Sequence, residues 1–329
     1  MSSGITSHKI DRLVDLLVKN ATVLVPGPKI ASEIGVSRST VWIWIEKLRA
    51  LGVAIKGHPG GYQLQKLPDL LVPSLVHSEP LPSEIGHKII HYFRVESTNT
   101  AAMELSAQEG PHGTVVIAEE QTAGRGRMGR VWYSEKRSGI YVSVLLRPPL
   151  SPAAAPILTL LAGVAAQQAI QSVTGLPVDI RWPNDLLVNG KKVCGMLTEM
   201  QAELDRLHKV VLGIGINVNH REMPEELRAI ATSLAIEGGQ SYSRLQVLAA
   251  LLQELEHFYR LLLSEGNSAI TRRWAAASSY AQGKRVRIKT QAGEFPATTT
   301  GLDSTGALKV RYDHGKEELL VAGEVTEIK

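Results

Sequence analysis

The stretch TAGRGRMGRVW, Thr122 to Trp132, sets three arginines and three glycines within seven residues. It follows the apolar run TVVIAEE (114–120), which reads as a strand. Glycine lets backbone N–H groups approach an anion, and arginine supplies permanently charged, planar donors for phosphate or carboxylate. The run is not a P-loop, because no Lys-Ser or Lys-Thr pair follows the glycines. It is not a dinucleotide fingerprint either, because arginine stands where that turn needs close backbone approach. An RNA-binding arginine-glycine tract would repeat for longer. Anion binding is the reading its chemistry favours. Like charges should hold such a loop open until an anionic ligand neutralises and orders it.

Around this loop lies an ordinary globular chain. With 329 residues and 44% hydrophobic content it can bury a core and divide into two or three domains. One cysteine, Cys194, excludes a disulfide framework and a cysteine zinc cluster and fits a reducing compartment. We expect no apolar run long enough to span a membrane. The N-terminus MSSGITSHKIDRLVD lacks the core of a signal peptide, so the expected location is the cytoplasm. The net charge of +4 is uneven: residues 1–66 hold nine Lys/Arg against four Asp/Glu, giving +5, which leaves −1 for the rest. That imbalance points to a polyanion partner for the N-terminal end.

Ile10, Leu13, Val14 and Leu17 stand at helical spacing, and a second short helix runs from Pro28 to Gly35. Ser37 is a natural N-cap for a third helix with Val41, Ile45 and Leu48 inward. The layout over about 27–46 is a helix-turn-helix, with Ser37, Arg38, Ser39 and Thr40 as the candidate DNA contacts. VAIKGHPGGYQL (53–64) reads as a β-hairpin wing. A small helical interaction domain with solvated arginines is the competing reading. VWIWI places Ile43 and Trp44 where a groove-facing helix more often shows polar residues. Residues 67–88 contain four prolines and read as a linker with one short helix.

Strands follow at 88–95, 114–120, 141–147 and 178–182, with a helix opening at Ser97 and an apolar helix at 154–173. Ser97-Thr98-Asn99 could cap the helix or bind a ligand at its start. LLVNGKKVCGMLTEM is a hairpin around Asn189-Gly190, LGIGINV (212–218) a glycine-punctuated strand, and 243–264 an amphipathic helix. After Gly283 short strands alternate with Gly/Asp turns, as in a small β-barrel.

The set STN (97–99), Gln121 before AGRGRMGR, WPNDL (182–186), KKVCGML (191–197) and GIGINV (213–218) resembles the biotin–protein ligases. With the helix-turn-helix in front, the chain resembles their bifunctional bacterial type, which also represses biotin genes. The resemblance implies an α+β chain of four parts. These are a winged helix-turn-helix (1–66), a linker (67–87), a central mixed α/β ligase domain (88–282) and an SH3-like small β-barrel (283–329). It implies an ATP-dependent enzyme that makes biotinyl-5′-AMP and passes biotin to a lysine of a biotin carboxyl carrier protein. It further implies operator DNA as partner, a homodimer when adenylate is bound, no membrane, and Mg²⁺ beside the substrates biotin and ATP. Carried over by motif, Ser97, Thr98, Asn99 and Gln121 line the biotin site, and Arg125, Gly126 and Arg127 close over it. Lys192 reaches the biotin carboxylate and the α-phosphate. Lys192, Arg125 and Arg127 are therefore the catalytic candidates. Trp132 stacks on adenine, Asn217 bonds its edge and Asn184 belongs to the adenylate site. Asp185 is a candidate metal or ribose contact, with a plain turn role for Asn184-Asp185 as the alternative.

The chain departs from the family pattern at Arg181, where lysine is usual, at Met128, where arginine often stands, and at Cys194 beside Lys192. For Cys194, core packing competes with a reactive thiol. Two other readings remain: a ligand-sensing transcriptional regulator without ligase activity, and a lipoate or octanoate transferase.

Overall fold

A computed structural model describes every residue except 1, 22, 51, 67, 291, 292 and 329. The expected outer limits at 1 and 329, and the first residue of the expected linker, therefore lie outside the described residues. Helices α1 (Ser2–Lys19), α2 (Gly27–Ile34) and α3 (Arg38–Ala50) open the chain, followed by the hairpin β1 (Ile55–His58) and β2 (Gly61–Leu64). Gly35, at φ 71°, ends α2 in the left-handed region, where a side chain would be strained. Ser37 Oγ then accepts from Thr40 N–H at 3.1 Å and caps α3. Leu13, Leu17, Ile30, Ile45 and Leu48 are fully buried together. Helical phase places Trp44 in this core with Val41, Ile45 and Leu48; Trp42 and Ile43 are the exposed pair, at 56% and 46%. Of the pair Ile43 and Trp44, whose alternative to facing a groove was packing on the wing or the next domain, Trp44 packs in the core that includes Ile55 and Leu64 of the wing, and Ile43 stays exposed.

After α4 (Pro73–Val76), the chain forms β3 (Ile89–Tyr92), α5 (Thr98–Glu104), β4 (Thr114–Ala118), β5 (Gly139–Leu146) and α6 (Ile157–Thr174). Then come β6 (Asp179–Arg181), β7 (Asp185–Val188), β8 (Lys191–Ala202), β9 (Leu207–Asn217), α7 (Leu234–Gly238), α8 (Arg244–Glu265) and α9 (Asn267–Ala277). The strands make one seven-stranded sheet, β3-β4-β5-β9-β8-β7-β6, in which β3–β4 is parallel and the other pairs antiparallel. Asn189 (φ 50°) and Gly190 (φ 79°) make the tight β7–β8 turn foreseen from their identities.

Alternation along β5 decides which face does what. Ile140, Val142, Val144 and Leu146 join α6 and α8 in the main core. Leu145 points the other way, into a smaller cluster under α5, and Ser143 is on its face. Helix α6 belongs to a segment, Pro152–Thr174, apolar and long enough to cross a membrane. That corrects the expectation of no such run, but α6 packs under α8 and α9, and its hydrophobicity is that of a core helix. The C-terminal strands β10 (Gln282–Thr290), β11 (Gly293–Leu302), β12 (Leu308–Tyr312), β13 (Glu317–Leu320) and β14 (Glu324–Glu327) form an antiparallel sheet, β13-β12-β11-β10-β14.

Residues 68–86 form a strap, pinned twice to α8. At its start, Arg244 donates from Nε to both Asp69 carboxylate oxygens at 3.0 Å and from Nη2 to the Asp69 carbonyl at 2.6 Å. Toward its end, the Glu256 carboxylate accepts from the Ser83, Glu84 and Ile85 N–H groups. Leu70, Val72 and Leu75 complete the N-terminal core, while Leu71, Val76 and Ile85 enter the main one.

Beneath the strap lies a fully buried ion cluster. Glu119 accepts from Arg244 Nη1 at 2.9 Å and from Leu71 N–H at 2.6 Å. His91 bonds Asp11 of α1 at 2.9 Å and lies 3.7 Å from Glu119. Burial alone would raise the Glu119 pKa, but Arg244 and His91 outweigh it and hold the value at about 2. Burial likewise opposes the charge of His91, yet Asp11 and Glu119 lift its pKa from 6.5 to about 9. A depressed acid stabilises above its unfolded value and loses that contribution as pH falls from about 4.5 toward 2. A raised histidine stabilises below 6.5 and loses it as pH climbs through 6.5 to 9. His91→Gln should therefore lower the melting temperature most near pH 6, the broken buried pair costing about 3 kcal/mol. The deficit should shrink toward pH 9. A deficit constant over that range in paired melting curves would refute the assignment.

Candidate functional site

A cleft opens on the α5 side of the sheet. Ser97, Thr98, Asn99, Gln121, Arg125, Gly126, Arg127, Trp132, Asn184 and Lys192 all line it. These come from α5, the 122–132 loop, the β6–β7 turn and β8, so four sequence-distant motifs converge because the antiparallel sheet brings their strand ends together. Ser37, Arg38, Ser39 and Thr40 are elsewhere, at the exposed start of α3.

Hydrogen bonds fix the floor. Ser97 occupies the N-cap position of α5 without capping it through its side chain. Instead Gln121 Oε1 accepts from Thr98 N–H at 2.9 Å and Thr98 Oγ1 at 3.1 Å, and Gln121 Nε2 donates to Ser134 Oγ at 3.0 Å. Asn99 Nδ2 donates to the Leu197 carbonyl at 3.1 Å and to Glu199 at 2.8 Å, and its Oδ1 accepts from Ser143 Oγ at 2.6 Å. Three glycines make room. A Cβ on Gly213 would lie 2.1 Å from Asn99 Oδ1, and one on Gly215 would lie 2.4 Å from the Trp132 ring. On Gly195 it would meet both Trp132 and Lys192 at 2.8 Å. The glycine pattern of GIGINV thus seats Asn99 and the indole on the sheet.

The arginine loop is closed, against expectation. Arg125 bonds Glu199 at 2.9 Å across the cleft mouth, and Arg130 pairs with Glu324 of β14. Protein carboxylates supply the counter-charge that was assigned to a ligand, and the loop turns tightly at Met128 (φ 57°) and Gly129 (φ 74°), both in the left-handed region. Arg127 differs. Its Nη1 reaches only neutral oxygens, Asn184 Oδ1 at 3.2 Å and the Gly323 carbonyl at 3.3 Å. Burial lowers its pKa, with Asp185 and Glu324 opposing and Arg130 adding repulsion.

Lys192 Nζ lies 2.5 Å from Asp185 and 5.3 Å from the Trp132 ring centre. Asp185 also accepts from Arg181 Nη2 at 2.7 Å, so the departure at Arg181 serves to clamp this carboxylate. Burial would raise the Asp185 pKa, but Lys192 and Arg181 outweigh it and lower it. An acid held between two cations does not suit a metal ion, and no group of three or more His, Cys, Asp or Glu side chains converges among the described residues. Cys194 is buried and its thiol pKa is pushed far up by burial, which favours core packing over reactivity. Asn217 sits behind the cleft. Its Nδ2 donates to the Thr232 carbonyl at 3.0 Å, while its buried Oδ1 has no partner among the described residues.

Glu199, Ser143 and Glu324 escaped the sequence reading. Glu199 closes the very segment KKVCGMLTEM that had been singled out, and the alternation of β5 could have flagged Ser143. Glu324 carries no local signal.

A helix-turn-helix joined to a domain whose cleft gathers cations beside a polar pocket suits a two-part protein, one part for a polyanion and one for a small anionic ligand. Residues 92–217 match the biotin/lipoate A/B protein ligase family, 9–63 an HTH domain and 282–326 the biotin protein ligase C-terminal domain. The bifunctional ligase/repressor BirA of Bacillus subtilis is 39% identical over 94% of this chain and 96% of its own length. The Escherichia coli protein of that name is 29% identical over 87% of this chain and 88% of its own. Biotin protein ligase from Aquifex aeolicus in complex with biotin and ATP superposes with a TM-score of 0.64 at 29% identity, covering 74% of this chain and 99% of that one. The chain belongs to the family of bifunctional biotin ligase/repressors.

The Arg125–Glu199 pair is partly exposed, and such pairs are worth about 0.2–1 kcal/mol. Glu199→Gln should therefore raise the rate of tryptic cleavage after Arg125 by about two- to fivefold. An unchanged rate would mean that Arg125 does not hold the loop shut.

Proposed function

We propose that the chain activates biotin with ATP, releasing pyrophosphate, and transfers the biotinyl group to a lysine of a biotin carboxyl carrier protein. The observation that carries this is Lys192 and Arg127 facing one cleft, the first paired with Asp185 and the second partly desolvated and hydrogen-bonded to the neutral oxygens of Asn184 and Gly323. A carboxylate attacking a polyanion's α-phosphate must overcome charge repulsion, and fixed cations cancel it while stabilising the charge that develops. In the second step the acceptor amine attacks the mixed anhydride's carbonyl carbon, and AMP leaves.

In this reading Asp185 holds Lys192 until substrate oxygens compete for it, so its part is positioning rather than metal binding. Mg²⁺ would be held chiefly by the phosphates of ATP and by water, and would supply charge neutralisation there. Ser97, Thr98, Asn99 and Gln121 satisfy the polar end of biotin. Arg125, Gly126 and Arg127 cover the adenylate, excluding water that would hydrolyse it. Trp132 stacks on adenine, and the unpartnered Asn217 Oδ1 is suited to accept from the exocyclic amine. Division into a head (1–66), strap (67–87), ligase domain (88–282) and terminal domain (283–329) accompanies this reading. The head binds operator DNA as repressor, dimerising when the adenylate is bound, in the cytoplasm.

Incubation with biotin, ATP and a biotin carboxyl carrier domain should add one biotinyl group to that domain, read by mass spectrometry. No gain would favour the sensor without ligase activity. A gain only with lipoate or octanoate would favour the transferase.

Lys192→Ala should leave the fold intact, since the side chain is partly exposed, and slow pyrophosphate release by at least about a hundredfold, the usual scale for a lost charge-stabilising group. Release at the unmodified rate would remove Lys192 from the chemistry.

A further inference from the structure

The two faces of α3 are sharply divided. Val41, Trp44, Ile45 and Leu48 fill the N-terminal core, while Arg38, Ser39, Trp42 and Ile43 look outward. An indole 56% exposed beside an isoleucine 46% exposed is unusual on a helix whose surroundings are basic and polar.

We propose that Trp42 and Ile43 are the sequence-reading residues of the head, packing on thymine C5-methyl groups in the operator's major groove. This rests on the operator-binding reading given above. Three observations carry it. First, the hydroxyls that polar readout would use are engaged with one another. Ser37 Oγ bonds Ser39 Oγ and Thr40 Oγ1, each at 2.8 Å, and also accepts the Thr40 N–H that caps the helix. Second, exposed cations frame the apolar pair. Arg38 lies one turn before Trp42, Lys47 one turn beyond Ile43, and Lys56 is on the wing. Such a frame suits a polyanion and sets the helix against phosphates on both sides of a groove. Arg49 is not part of that frame, because it pairs with Glu46 at 2.6 Å and bonds the Ile55 carbonyl, tying the wing to α3.

Third, the chemistry of the groove leaves one suitable target. The base edges there present donors and acceptors, and the thymine methyl is the only apolar group. An indole and a branched alkyl chain would desolvate polar edges without replacing their hydrogen bonds, but gain by covering a methyl. Adjacent positions on a helix lie about 1.5 Å apart along its axis and about 100° apart around it, so the two side chains reach neighbouring base pairs. The half-site should therefore contain adjacent thymines.

The test uses the full chain with biotin and ATP. Binding sites are selected from random-sequence duplexes, and each thymine of the enriched site is replaced in turn by deoxyuridine, which removes only the methyl. Wild-type affinity should fall about fourfold at each contacted position, the equivalent of one buried methyl group. Trp42→Ala should bind more weakly and lose its sensitivity at one such position, Ile43→Ala at the neighbouring one, and Trp42→Phe should retain it. Pyrophosphate release should be unchanged in all three, since neither Trp42 nor Ile43 lines the cleft. Enriched sites that tolerate deoxyuridine everywhere, or variants that keep the wild-type sensitivity, would overturn the assignment alone. No enriched sequence at all would overturn the operator reading and this assignment with it.

Discussion

The Glu119–Arg244 pair is the interaction on which the rest of the structure depends. Both side chains are fully buried, and a charge removed from water is tolerated only when its partners are geometrically complete. Here they are. Arg244 spends its donors on Glu119, Asp69 and the Gly139 carbonyl at 3.0 Å, while Glu119 takes the Leu71 N–H and stands beside His91. Each partner belongs to a different part of the chain: α8, the strap, β5, β3 and, through His91, Asp11 of α1. Replacing the whole cluster by well-packed apolar side chains is the change such a site tolerates best, whereas removing one member lowers stability because the others remain buried and unpaired. Such a cluster fixes geometry more than it adds stability.

Its position explains why that geometry matters to the site. Glu119 directly follows β4, on the path that delivers Gln121, two residues later, to the pocket floor. Its carbonyl accepts from Arg137 N–H at 2.9 Å, which anchors the far end of the segment carrying Trp132 and Ser134. Loop 122–132 therefore closes over the cleft between two fixed points. Its arginines then divide the work. Arg125 and Arg130 are neutralised by Glu199 and Glu324, leaving Arg127 with neutral acceptors only. Self-repulsion does not hold the loop open because the fold supplies carboxylates at matching distances.

What the sequence revealed follows from how each feature is encoded. The anion-binding character of GRGRMGR and the ligand option at STN were legible from their chemistry, whereas Gln121, Trp132, Asn184 and Lys192 were reached only through the resemblance of their motifs to the family. The Asn189-Gly190 turn was legible because few residue pairs accept positive φ twice. The ion cluster was not, since Asp11, Asp69, His91, Glu119 and Arg244 share no local spacing and meet only through the tertiary fold. Within the linker the short helix was readable and is present as α4, but the alternation of apolar side chains between two cores was not, since that pattern has meaning only once both cores exist. Helix α9 was overlooked because Asn267–Ala277 lacks a side-chain cap and a strong apolar stripe. Ile43 and Trp44 could not be told apart because a run of alternating large apolar residues gives a helical phase only when anchored by its neighbours Val41, Ile45 and Leu48.

The strap also settles how the head and the ligase domain can relate mechanically. Leu70, Val72 and Leu75 complete the head's core while their neighbours Leu71 and Val76 complete the other, so neither unit closes without the same short segment. Swinging the head away would expose both sets of side chains and break the Asp11–His91 contact. A second contact acts in the same direction: the Arg137 guanidinium abuts Gly52 just beyond α3, where any Cβ would fall 2.7 Å from Nη1. The C-terminal end of α3 is thus held against Arg137, five residues from Trp132. In this architecture the orientation of α3 is a property of the ligase domain as much as of the head.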